Sequence, residues 1–132
     1  MPDPARPLAI LIVDDEPLAR ARLRELLADV AAELPNVVVG EAEHGVAALA
    51  CLQTRRADVV LADIRMPLMD GIELAGHLGG LESPPAVIFT TAYDNYAVHA
   101  FELNAIDYLL KPVRAQRLLA ALHKAAPAAR GD

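Results

Sequence analysis

Cysteine occurs once in the 132 residues, tryptophan is absent, and aromatic side chains make up only 4%. A lone thiol, Cys51, excludes an internal disulfide; its Ala/Leu-rich surroundings make it a small core residue, buried or half-buried. Basic residues number 12 against 18 acidic ones, for a net charge of −6. That balance argues against a nucleic-acid surface, which needs clustered Lys and Arg to neutralise phosphates. The densest basic group (Arg20, Arg22, Arg24) falls on one expected helix and reads as a solvated face. No apolar run approaches the ~18 residues of a membrane span. The opening Met1-Pro2-Asp3-Pro4 lacks the basic-then-apolar order of a secretion signal, so a cytoplasmic setting is expected. The four histidines (His44, His77, His99, His123) show no metal-ligand spacing.

Apolar residues, by contrast, are plentiful. They form 55% of the chain beside 23% charged residues, the balance of one globular domain with a single core. Short apolar runs alternate with amphipathic stretches, the pattern of βαβ units around a parallel sheet. The run 8–13 has no polar interruption, as expected of a strand covered on both faces. Pro17 suits the first turn of a helix whose Ala19, Leu23, Leu26, Leu27, Val30 and Leu34 recur at helical spacing until Pro35-Asn36. Further strands are expected at 37–40, 59–62, 87–90 and 106–110, and helices at 46–52, 71–78, 94–103 and 114–125. Five such units with short connections fit a doubly wound sheet with helices on both faces. A short lead (1–7), one domain (8–125) and an Ala/Pro tail of linker character (126–132) complete the chain.

Polar signatures close four of these runs. Asp14-Asp15 follows the first, Asp63 the third, Thr91 the fourth and Lys111 the fifth. Parallel strands bring those ends to one rim, where open α/β sheets place their ligands. Three carboxylates and one ammonium leave a charge of −2, which matches a divalent cation. Mg²⁺ takes oxygen ligands, waters and substrate phosphate. Asp63 then suits a nucleophile that forms an acyl phosphate, with Thr91 and Lys111 binding phosphoryl oxygens. Taken singly, the residues have plainer readings: Asp14, Asp15 or Glu16 as helix caps, Asp63 as a turn residue, Thr91 as a strand end, Lys111 as a solvated lysine. Their conjunction at successive strand ends favours the chemical reading.

The segments 12–17 (Ile-Val-Asp-Asp-Glu-Pro), 63–71 (Asp-Ile-Arg-Met-Pro-Leu-Met-Asp-Gly), 90–92 (Thr-Thr-Ala) and 108–112 (Tyr-Leu-Leu-Lys-Pro) resemble the receiver domain of two-component response regulators. The likeness covers about residues 8–125, and the wording from Thr90 to Glu102 resembles the subgroup with a LytTR-type DNA-binding output, to which regulators of alginate synthesis and autolysis belong. The resemblance implies a flavodoxin-like (βα)5 sheet in the order 2-1-3-4-5. It implies phosphoryl transfer from a phosphohistidine of a sensor histidine kinase to Asp63. Mg²⁺, or Mn²⁺ in its place, would be bound by Asp15, Asp63 and the Arg65 backbone carbonyl, with Asp14 acting through water. Thr91 and Lys111 would bind the phosphoryl group, Thr91 and Tyr108 would form the switch, and Arg65 and Tyr93 would tune dephosphorylation. Lys111-Pro112 would be cis. The helix at 94–103, the fifth strand and the last helix would form the output face.

Such a chain is a signalling module rather than an enzyme, although it takes part in its own phosphorylation and dephosphorylation. It would homodimerise on phosphorylation and reach DNA only through a further C-terminal output domain. A stand-alone receiver acting by protein contacts is the alternative. An aspartate-nucleophile phosphatase is disfavoured, because its second acid would fall at Arg65. A flavodoxin-type flavin protein is disfavoured too, because Asp14-Asp15-Glu16 would repel the cofactor phosphate.

Overall fold

Successive side chains of a strand face opposite sides of its sheet, and along that alternation the sheet divides the single core expected from composition into two. In the computed structural model, residues 6–93 and 105–129 are described. Leu8, Ile10 and Ile12 of β1 (Leu8–Val13) join one core with Val59 and Leu61 of β3 (Val59–Asp63) and Ile88 of β4 (Ala86–Thr91). Leu11 and Val13 point the other way and pack with Val60, Ala62 and Phe89. Helices α1 (Pro17–Asp29) and α4 (Ala115–Ala129) cover the first face; α2 (Gly45–Leu52) and α3 (Gly71–Leu78) cover the second. With β2 (Asn36–Ala42) and β5 (Asp107–Leu110) the sheet has five parallel strands in the order β2-β1-β3-β4-β5.

The expected flavodoxin-like doubly wound fold is therefore present, with β1 and β3 adjacent at the switch point. All five residues of β3 are buried. The helix expected at 94–103, with Tyr96 and His99, lies outside the described residues. None of the described helices is long and apolar enough to cross a membrane.

Several boundaries differ from the sequence reading for identifiable reasons. Helix α1 stops at Asp29 rather than running to Leu34. The Asn36 amide donates to the Leu27 carbonyl at 3.0 Å, the acceptor that the next helical turn would use. Val30 and Leu34 remain in the core, 4% and 5% exposed, held by turn hydrogen bonds instead. Helix α4 extends past 125 to Ala129, with Ala125 and Ala126 buried and Pro127 in its last turn. His44 caps α2, its Nδ1 accepting from the Ala47 N–H at 3.1 Å, and Asp70 caps α3 by accepting from the Glu73 N–H at 2.8 Å. Cys51 is half-buried against the second core.

Candidate functional site

Where β1 ends, the chain continues its pairing for one more residue, the Asp14 N–H donating to the Ala42 carbonyl at 3.0 Å. The Asp14 side chain is fully buried (0% exposed) and satisfied at both oxygens. Oδ1 accepts from the Glu16 N–H at 2.9 Å, and Oδ2 receives the Lys111 ammonium at 2.9 Å. Asp63 closes β3 at 5% exposure, its Oδ2 3.4 Å from the same Lys111 Nζ. Lys111 reaches both carboxylates from the end of β5, and the Lys111–Pro112 peptide is cis.

Behind Asp63 the chain returns tightly. The Gly71 N–H donates to the Ile64 carbonyl at 2.8 Å, and a Cβ at Gly71 would collide with the Asp63 carbonyl. Glycine at that position is what lets α3 begin directly against the Asp63 backbone. Thr91, 1% exposed at the end of β4, accepts the Tyr93 N–H on its hydroxyl at 3.2 Å.

These strand ends surround a cleft of about 200 Å³. Asp15, Glu16 and Asp63 supply its acidic wall; Arg65, Thr91, Ala92, Tyr93 and Lys111 complete it. Carboxylate oxygens of Asp14, Asp15, Glu16 and Asp63 lie within 4.8 Å of one another. Glu16 is thus a fourth member of the cluster, beyond the three carboxylates that the sequence placed there. An all-oxygen donor set of this charge suits a hard divalent cation such as Mg²⁺ or Mn²⁺.

The electrostatics follow from burial and charge crowding. Burial and the Asp14 charge push the Asp63 carboxyl up to about 6, against the opposing pull of Lys111. Lys111 moves the other way from what its own burial favours, because Asp14 and Asp63 hold its ammonium and raise its pKa.

Two residues expected to act together are connected by a third. The Tyr108 hydroxyl donates to the Tyr93 carbonyl, and the Tyr93 N–H donates to Thr91. Tyr108 itself is half-buried against the second core and does not line the cleft. The Arg65 guanidinium carbon sits 4.2 Å from the centroid of the Tyr93 ring. The arginine trio of α1 departs from a plain solvated face: Arg22 is 56% exposed, but Arg20 is only 16% exposed and bonds inward.

A doubly wound α/β domain with an aspartate- and lysine-bearing cleft at its switch point is the class that fold and cleft define. The chain belongs to the family described as the response regulator receiver domain, which matches residues 10–123. It is 47% identical over 116 residues to the positive alginate biosynthesis regulatory protein of Pseudomonas aeruginosa, covering 88% of this chain and 46% of that one. It is 44% identical over 117 residues to the transcriptional regulatory protein BtsR of Salmonella typhi, covering 89% and 47%. The response regulatory domain of mrkE from Klebsiella pneumoniae superposes with a TM-score of 0.83 at 34% identity, over 95% of this chain and 100% of that one. The chain spans about half the length of the curated relatives it matches.

Proposed function

We propose that this receiver accepts a phosphoryl group on Asp63 from a phosphohistidine of a sensor histidine kinase. The observation that carries the reading is the setting of Asp63. Its carboxylate lines an open cleft, 3.4 Å from the Lys111 ammonium, among the carboxylates that follow β1 and beside the Thr91 hydroxyl. An Asp63 oxygen attacks phosphorus, the P–N bond to the kinase imidazole breaks as the P–O bond forms, and the imidazole takes its proton from solvent. Asp15, Asp63 and the Arg65 backbone carbonyl would hold Mg²⁺ (or Mn²⁺), and Asp14 would contribute through water. The cation supplies charge neutralisation at the transferring group. Lys111 pairs with one phosphoryl oxygen and the Thr91 hydroxyl donates to another.

Thr91 is also the switch residue in this reading. Its hydroxyl already accepts from the Tyr93 N–H, and Tyr108 bonds the Tyr93 carbonyl, so a change at Thr91 is felt at both tyrosines. Phosphorylation shifts the population only by what it binds differently in the two states. The face that changes includes β5 and α4. Arg65 and Tyr93 tune the loss of phosphate.

The chain acts as a cytoplasmic signalling module rather than an enzyme, and phosphorylation drives homodimerisation. We infer a LytTR-type DNA-binding output, supported by the wording from Thr90 to Glu102 and by the likeness to an alginate biosynthesis regulator and to the transcriptional regulatory protein BtsR. DNA is then contacted by that output domain and not by the receiver.

Intact mass after incubation with Mg²⁺ and acetyl phosphate tests the reading. One phosphoryl adduct is expected on the native chain, and none on Asp63→Asn or with a chelator. An adduct that persists in Asp63→Asn moves the acceptor elsewhere. With no adduct on the native chain and no beryllofluoride binding, the reading fails.

A further inference from the structure

Arg20 connects the acid cluster to the edge of the sheet. Its guanidinium donates to the Asp14 backbone carbonyl at 2.7 Å through one terminal nitrogen. Through Nε it donates to Glu41 Oε1 on β2 at 3.2 Å, and Arg24 reaches the same Glu41 oxygen at 2.6 Å. The Asp14 backbone is therefore held on both sides of its Cα: the N–H by the Ala42 carbonyl and the C=O by Arg20. The Asp14–Asp15 peptide is planar, so fixing the Asp14 carbonyl also fixes the direction in which the chain enters Asp15. Asp15 is an exposed residue at the cleft, with no strand or helix assigned at its own position.

We propose that Arg20 is a positioning residue for the divalent-cation site, holding the Asp14–Asp15 turn so that the Asp15 carboxylate stays on the rim. The inference rests on the reading of Asp15 as a cation ligand. Arg20 does not enter the cleft wall, and its role is carried by one carbonyl. A forked guanidinium suits that task, because two nitrogens hold Glu41 and Asp14 at once in a fixed geometry.

Charge and position make opposite predictions here. A guanidinium near the cluster repels a cation, so by Coulomb's law alone its removal tightens metal binding. Loss of positioning loosens it. Arg20→Met removes charge and donors while keeping the stem; Arg20→Lys keeps the charge and removes the fork.

The test is a titration of Mn²⁺ followed by electron paramagnetic resonance of the free ion, with Mg²⁺ as competitor. The native chain, both Arg20 variants and Asp15→Asn are compared, and folding is checked by urea denaturation. Arg20→Met is expected to bind roughly tenfold more weakly than the native chain, with Arg20→Lys in between. Unchanged or tighter binding by Arg20→Met overturns the proposal. Should Arg20→Met not fold, Arg20→Lys decides, because charge alone predicts no change for it and positioning predicts weaker binding. If Asp15→Asn binds like the native chain, the ligand assignment itself fails, whatever the Arg20 variants do.

Discussion

Arg65 and Tyr93 stack at the mouth of the acidic cleft, guanidinium carbon to ring centroid 4.2 Å, although they come from the loops after different strands. A cation over an aromatic face at this distance is attracted by the ring quadrupole. In the function proposed above, the pair would narrow the route by which water reaches Asp63. Phosphorylated Arg65→Ala and Tyr93→Ala are expected to lose the phosphoryl group several-fold faster than the native chain, followed by intact mass over time. A native chain that loses phosphate faster than both variants reverses the assignment.

Asp63 makes the metal-free protein pH-dependent in a defined direction. Its folded pKa of about 6 lies above the ordinary value of 3.8, so its contribution is most favourable below the unfolded value and is lost as pH rises through 6. Asp63→Asn removes that dependence. The stability advantage of Asp63→Asn over the native chain should shrink by about 1 kcal/mol between roughly pH 7 and pH 5, in urea denaturation without metal. A constant difference would mean that the carboxylate is not raised.

Asp14 and Asp15 are adjacent but should respond oppositely to substitution. Lys111 bonds the buried Asp14 at 2.9 Å, whereas Asp15 adds a further negative charge at the exposed rim. Without metal, Asp15→Asn is expected to melt higher than the native chain, by up to about 1 kcal/mol of relieved repulsion. Asp14→Ala should melt lower, by about 3 kcal/mol, because it strips a buried partner from Lys111 and from the Glu16 N–H. Equal or lower melting of Asp15→Asn would show that the cluster is already compensated.

Asp107 carries the opposite linkage at the edge strand. Its burial favours the neutral form, but hydrogen bonds from Arg117, the Tyr108 N–H and Lys124 outweigh that and lower its pKa to about 2. The stabilisation is present above the unfolded value of 3.8 and is lost as pH falls through 2. Arg117 and Lys124 are 46% and 57% exposed, so solvent screens part of it. Asp107→Asn should cost about 1 to 2 kcal/mol near neutral pH, with the cost fading in acid. Chemical denaturation at both ends of that range measures it.

The cleft was legible from the sequence because its chemistry sits at strand ends. Asp14, Asp63, Thr91 and Lys111 each follow an apolar run, and parallel strands bring those ends to one rim. Local pattern was less informative where a long side chain reaches across the fold. Nothing in the spacing of α1 separates Arg20, folded onto Glu41 and Asp14, from Arg22, which stays in solvent. The end of α1 was hidden for a similar reason. Val30 and Leu34 keep helical spacing, and the Asn36 amide that takes the Leu27 carbonyl lies beyond them. His44 carries the same lesson, since a histidine with no metal partner in the sequence turned out to cap α2.

The middle strand has a mechanical meaning. Asp63 stands at the tip of β3, buried along its whole length and hydrogen-bonded on one edge to β1 and on the other to β4. Its carboxylate is mounted like a tool on an anvil: the strand beneath is buried and has no free edge along which to yield. On the proposed function, a phosphoryl group added at that tip would be felt sideways, through the Lys111 bridge and the Thr91–Tyr93–Tyr108 hydrogen bonds. If Asp63 is the acceptor, stiffness beneath it would let a change of a few atoms displace the periphery instead of being absorbed where it occurs.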